Sequence, residues 1–142
     1  MPKLIMSQPT SIPPLRKIQL HRQSKMLELQ YEDNGYELSC EFLRVHSPSA
    51  EVKGHGPGQE VLQYGKKDVA ITSLQKAGNY ALQIVFDDSH DSGIYSWEYL
   101  YHLCVNHNKL WEQYLDKLRR ANKSRDPSLQ VVTLIDPGKP DN

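Results

Sequence analysis

The chain has 142 residues, 17 of them Lys or Arg and 17 Asp or Glu, so its formal net charge is zero. That balance supplies no basic field for non-specific nucleic-acid binding, and no stretch approaches the ~18 apolar residues of a membrane span. Two distant cysteines, Cys40 and Cys104, lack the spacing of a zinc or redox motif, and the N-terminus has no signal-like apolar run, which together predict a cytoplasmic protein with reduced thiols.

Residues 1–14 carry Pro2, Pro9, Pro13 and Pro14 and read as a flexible arm. A single domain is expected over 15–125, followed by a largely disordered tail over 126–142. Apolar alternation predicts strands over Leu15 to His21 and Met26 to Tyr31, the second with Leu27, Leu29 and Tyr31 on one face. Asn34-Gly35 predicts a type I′ hairpin into a third strand over 36–40. Ser39 suits the N-cap of a short helix over 41–45, which Ser47-Pro48 ends. Three glycines and two prolines within residues 47–60 argue against any regular element there. A short edge strand is expected over 61–64, and further strands over 69–74 and 80–86, joined by a turn at 76–79. From Trp97 onward, Leu100, Leu103, Cys104, Trp111, Leu115 and Leu118 recur at helical steps. They predict one long helix, capped by Ser96 and loaded with Lys117, Arg119, Arg120 and Lys123 at its C-terminal end. The apolar run 129–135 reads as an edge strand or a sticky tail. The fold class is therefore α+β: a mostly antiparallel sheet of about six strands, with one short helix and one long C-terminal helix packed on it.

The densest polar cluster is Asp87-Asp88-Ser89-His90-Asp91-Ser92-Gly93, between the strand at 80–86 and the long helix. No nucleophile elbow or P-loop accompanies it, and Pro57 spoils the glycine-rich run 54–58 for phosphate binding. His90, His46, His55 and Asp88 carry hard or borderline donors and are the candidate ligands for a single zinc or iron ion. The same aspartates also suit turns that cap backbone amides. The aromatic group Tyr95, Trp97, Tyr99 and Tyr101 lacks basic flanks, so a core or protein interface outweighs base stacking.

Several segments together resemble the gamma-butyrobetaine hydroxylase-like N-terminal domain family: 38–44, 47–52, 54–56, 78–81 and 86–97. The resemblance covers about residues 15–120. It implies a small α+β domain, found alone in bacterial proteins as a domain of unknown function. In the hydroxylases it precedes an iron- and 2-oxoglutarate-dependent domain, for which this chain is too short. The hydroxylases' domain also holds a Cys3His zinc. Here the matching positions after Leu43-Arg44 are Ser47, Ser49 and Val52, and only His90 is kept, so the resemblance implies that this site is lost. The same domain occurs fused to iron-sulfur carrier ATPases, which implies a protein partner in iron-sulfur or metal-cofactor handling. The expected function is a non-catalytic binding or adaptor domain, with a surface built from the 46–58 loop and the 87–93 turn. The alternatives are an accessory subunit of a separate 2-oxoglutarate oxygenase, and a small hydrolase using His90 with Asp88 or Asp91.

Overall fold

A computed structural model describes residues 12–129. The expectations for the arm before residue 12 and for the tail after residue 129, including most of the apolar run, lie outside the described residues. The fold is α+β and antiparallel, with six strands among the described residues, divided between two three-stranded sheets. The first sheet holds β1 (Leu15–His21), β2 (Met26–Tyr31) and β3 (Gly35–Ser39) in that order, and the second holds β4 (Ile71–Ala77), β5 (Ala81–Phe86) and β6 (Gly93–Ser96). Between them run α1 (Cys40–Val45) and the single turn α2 (Ala50–Lys53); α3 (Trp97–Val105) and α4 (His107–Ala121) follow the second sheet.

One core joins both sheets. Leu27, Leu29 and Leu38 from the first sheet meet Phe42 and Leu43 of α1, Leu82, Ile84, Phe86 and Tyr95 of the second sheet, and Leu100 and Leu103 of α3. The alternation in β2 and β5 is what puts these side chains on one face. Ser39 caps α1 as expected, its Oγ accepting from the Phe42 amide at 3.0 Å.

Elsewhere the local pattern is overruled. The hairpin at Asn34-Gly35 forms without a type I′ turn, because Gly35 pairs with Gln30 as the first residue of β3. Neither Asn34 nor Gly35 adopts a positive φ; the Asn34 side chain instead accepts from the Gly35 amide at 2.9 Å. The loop after α1 contains a helical turn, α2, closed at Gly54 with φ 75°. A Cβ at Gly54 would lie 1.9 Å from the Gln59 carbonyl, so glycine is required there. No strand forms over 61–64, and the sixth strand is 93–96 instead. The segment is held by bonds that do not belong to a ladder, from the Val61 amide to Val52 O and from the Tyr114 hydroxyl to Gln63 O. In β4 a bulge sets Thr72 aside between Ile71 and Ser73, so that Ile71 and Leu74 face the same side, opposite Phe86 and Ile84. The single long helix is broken at Asn106 (φ −109°, ψ 17°), whose amide and Nδ2 both donate to the His102 carbonyl.

After α4 the chain turns at Asn122 in the left-handed region and returns to the body. Gly65 and Lys67 amides donate to Ser124 and Arg125 carbonyls. The Arg125 guanidinium grips Glu41 of α1 through two bonds of 2.8 and 2.7 Å, and Glu41 is only 4% exposed. Removing Arg125 leaves that carboxylate buried without its counter-charge. Arg125→Ala is expected to destabilise the fold by about 2 kcal/mol, below the range for fully buried pairs because Arg125 is half open to water. Urea unfolding measures this, and Arg125→Lys is expected to recover only part of it, since an ammonium cannot reproduce the fork.

Candidate functional site

The polar turn after β5 is tied down bond by bond. The Phe86 amide donates to the His90 carbonyl at 2.9 Å, which closes the turn across Ser89 with its positive φ. Asp87 exchanges bonds with the backbone of Ala70, beside β4. Asp88 faces inward: Oδ2 accepts from Arg44 Nε at 2.9 Å and from Lys66 Nζ at 2.6 Å, while Oδ1 takes the His90 amide at 3.3 Å. Burial opposes ionisation of Asp88, but the bond from Lys66 and the charge and bond of Arg44 outweigh it, holding the carboxyl below its usual range. Arg44 is 3% exposed and its Nη1 is buried without a partner among the described residues, so Asp88 is the carboxylate that meets its charge there.

His90 lies beneath this pair with its side chain fully buried. Its Nε2 is 2.8 Å from Ser47 Oγ and 3.3 Å from Ser49 Oγ, and its Nδ1 is 2.5 Å from Glu51 Oε1. A carboxylate only accepts, so Nδ1 carries the proton, and in the neutral ring Nε2 accepts from Ser47. Gly93 permits the close packing here: a Cβ would stand 2.9 Å from the Tyr95 ring and 3.3 Å from Ser47 Oγ. Tyr95 in turn donates its hydroxyl to the Leu43 carbonyl, so α1, the α1–α2 loop and β6 meet around one histidine.

Serine, histidine and carboxylate are connected in the order of a nucleophile, its base and the group that orients the base. The exposure runs the opposite way. Ser47 is fully buried, whereas the Glu51 side chain is 60% exposed. The carboxylate that pairs with the ring is Glu51, not Asp88 or Asp91. Asp88 meets His90 only at the backbone, and the Asp91 carbonyl receives the Gln83 side chain.

A cleft of about 750 Å³ opens between the 45–63 segment and α3 and α4. Val45, Val52, Leu62, Leu110, Tyr99 and Tyr114 form its apolar wall. Both tyrosine hydroxyls are spent on backbone carbonyls, Tyr99 on His46 at 2.7 Å and Tyr114 on Gln63 at 2.9 Å, which leaves their rings as apolar surface. His46 stands in the wall, with its Nδ1 2.8 Å from the Phe42 carbonyl. Burial pushes its imidazole below the ordinary range; the bond to Phe42 works against that, and the charge of Lys117 adds to it. His55 sits on the exposed lip beside Gly56 and Pro57.

Of the four ligands selected from the sequence, His90 is thus in the buried cluster, Asp88 in the ion pair above it, His46 in the cleft wall and His55 on the lip. Among the described residues, the side chains that do meet in a ligand-like group of three are His21, Glu28 and Glu37, on the polar face of the first sheet. Glu28 there is already paired with His21 at 2.8 Å and Lys17 at 3.6 Å.

Two packed antiparallel sheets locked by a buried histidine define a small α+β domain, and comparison with known proteins places it. A model of the gamma-butyrobetaine hydroxylase-like N-terminal family matches residues 18–101. One NMR solution structure is 51% identical, with TM-score 0.75, over 88% of this chain and 99% of that one. A second is 44% identical, with TM-score 0.71, over 92% and 98%. A crystal structure of a protein of unknown function in the DUF971 family, from Acidithiobacillus ferrooxidans, is 30% identical, with TM-score 0.51, over 66% and 97%. No curated protein matches the chain. The chain belongs to the gamma-butyrobetaine hydroxylase-like N-terminal family, a small domain of unknown function.

Ser47, Ser49 and His90, which the resemblance matches to three of the hydroxylases' zinc positions, lie within hydrogen-bond distance of one another. Their chemistry does not fit a zinc ion of that type: two neutral hydroxyls and the apolar Val52 offer no thiolate, and the imidazole is already bonded at both nitrogens. The position that sequence reasoning missed is Glu51. Its one signal was its place two residues after Ser49, on the turn that the glycine-rich composition had concealed.

Asp88 sets a pH dependence. Its folded value is depressed, so its stabilisation is present above the unfolded carboxylate range, near about pH 4, and is lost as pH falls through the folded value. Asp88→Asn is expected to cost about 2–3 kcal/mol at neutral pH, because Arg44 loses its counter-charge. It should also flatten the fall in stability below about pH 4, as read by thermal unfolding across pH.

Proposed function

We propose that this protein is a non-catalytic binding domain, an adaptor whose working surface is the cleft between the 45–63 segment and α3–α4. The observation that carries the reading is the cleft itself: about 750 Å³ in volume, with an apolar wall and open polar lip, within the size range of binding sites generally. The absence of a catalytic role is supported by the inverted exposure at Ser47, His90 and Glu51. A nucleophile must reach its substrate, and Ser47 has no exposed surface. The turn at 87–93, expected to share the binding surface, spends Asp87 and Asp88 on internal bonds, and the 46–58 loop is the part that lines the cleft.

The family resemblance supports a partner among metal-cofactor proteins, either an iron-sulfur carrier ATPase or another metalloenzyme, with the cleft receiving a segment of it. Affinity capture from native lysate tests this, using wild type beside Gly56→Trp. Gly56 lines the cleft, has no atom within 4 Å of an added Cβ and needs no positive φ, so the substitution sets a large ring at the cleft's edge without backbone strain or charge. A metal-cofactor protein is expected in the wild-type fraction, with recovery reduced roughly five-fold by Gly56→Trp. Equal recovery by both proteins, or no such protein with either, would overturn the reading. Recovery of a 2-oxoglutarate oxygenase would favour the accessory-subunit role instead.

A further inference from the structure

The cleft is not electrically neutral. Lys53 and Lys117 line it, and neither ammonium pairs with a carboxylate among the described residues. Glu60 is the one acidic residue in its lining. Lys53 holds its ammonium 4.6 Å from the centre of the Tyr99 ring, an aromatic contact that leaves the charge unneutralised.

The apolar surface also runs past the cleft. Val61 in its lining is 51% exposed, and Tyr64, one residue beyond Gln63, is 50% exposed. Over the Tyr64 ring, at 4.6 Å, stands Lys123, also without a carboxylate among the described residues. Exposed Val61 and Tyr64, flanked by lysines that meet no carboxylate among the described residues, thus continue the apolar surface beyond the cleft. A small ligand enclosed in the cleft would leave that surface bare, whereas an extended chain would cover it.

We infer that the cleft and the apolar surface beyond it dock an acidic segment of a partner protein that carries a large apolar side chain. The apolar anchor enters between Tyr99, Leu62 and Leu110. Carboxylates on either side of it meet Lys53 and Lys117, where the partly enclosed setting strengthens the attraction above its value in open water. This inference rests on the cleft being the binding surface and names what it accepts.

The probes are a fluorescein-labelled peptide of sequence EEWLEE and its uncharged counterpart QQWLQQ, measured by polarisation against the full chain. The acidic peptide is expected to bind roughly ten-fold more tightly at low salt, with the advantage fading as ionic strength rises. Lys53→Glu with Lys117→Glu, both surface positions, should remove that advantage, and Gly56→Trp should abolish binding of both peptides. Equal affinity for the two peptides, or insensitivity to the lysine reversals, overturns the charge assignment. If Gly56→Trp still abolishes binding in that case, the cleft stands as the binding surface and only its preference is wrong. No binding of the acidic peptide at about 1 mM, or binding that survives Gly56→Trp, overturns the inference outright. The proposed adaptor role is judged separately by capture of the partner.

Discussion

A guanidinium taken out of water has to be answered by a carboxylate, and much of this fold is arranged around that demand. Arg44 extends from α1 into the interior, and Asp88 comes to meet it from the turn after β5. The turn is held in place by the Asp88 bond to the His90 amide and by the Phe86–His90 closure. That placement in turn buries His90 against Ser47 and Ser49. The two sheets are sewn together by this polar seam as well as by the shared apolar core. Both halves are needed, since hydrophobic contact alone is non-directional and would not set the register of one sheet against the other.

The seam also explains why the most conspicuous polar residues are not the most available ones. Asp87, Asp88 and His90 answer to other parts of the chain, which leaves little of them for a ligand. The cleft is made of plainer material: a half-exposed valine, two tyrosine rings with satisfied hydroxyls, and lysines that pair with no carboxylate among the described residues. A scaffold needs its polar groups satisfied, whereas a binding surface needs some left over. In this domain the two requirements fall on adjacent but separate sets of residues.

Much of the architecture was legible in the sequence because burial on one face leaves a period of two in a strand: β2 follows it over its full length and β5 from Leu82 onward, while β1 follows it only after a register shift between Leu15 and Lys17. The family was legible too, from spaced motifs that the seam now accounts for: Arg44, Ser47, Ser49, His90 and Gly93 all belong to it. What was not legible depended on partners far along the chain. The bulge at Thr72 preserves packing against Phe86 and Ile84 that alternation within β4 alone does not report. The break at Asn106 is invisible to helical periodicity, because α3 and α4 both keep apolar residues in phase around it. The apolar segment 61–64 reads as a short edge strand, yet its carbonyl at Gln63 is claimed by Tyr114. Glu51 could not be distinguished from any other surface glutamate until α2 brought it to His90.

The clasp between Glu41 and Arg125 spans 84 positions of sequence. During synthesis the first sheet and α1 leave the ribosome long before residue 125 is made. Throughout that interval Glu41 has no guanidinium to receive it, and α1 cannot settle into the position it takes in the finished domain without burying a bare carboxylate. The contact that neutralises α1 is thus one of the most distant in sequence among the described residues, a pairing that local helix formation alone does not supply.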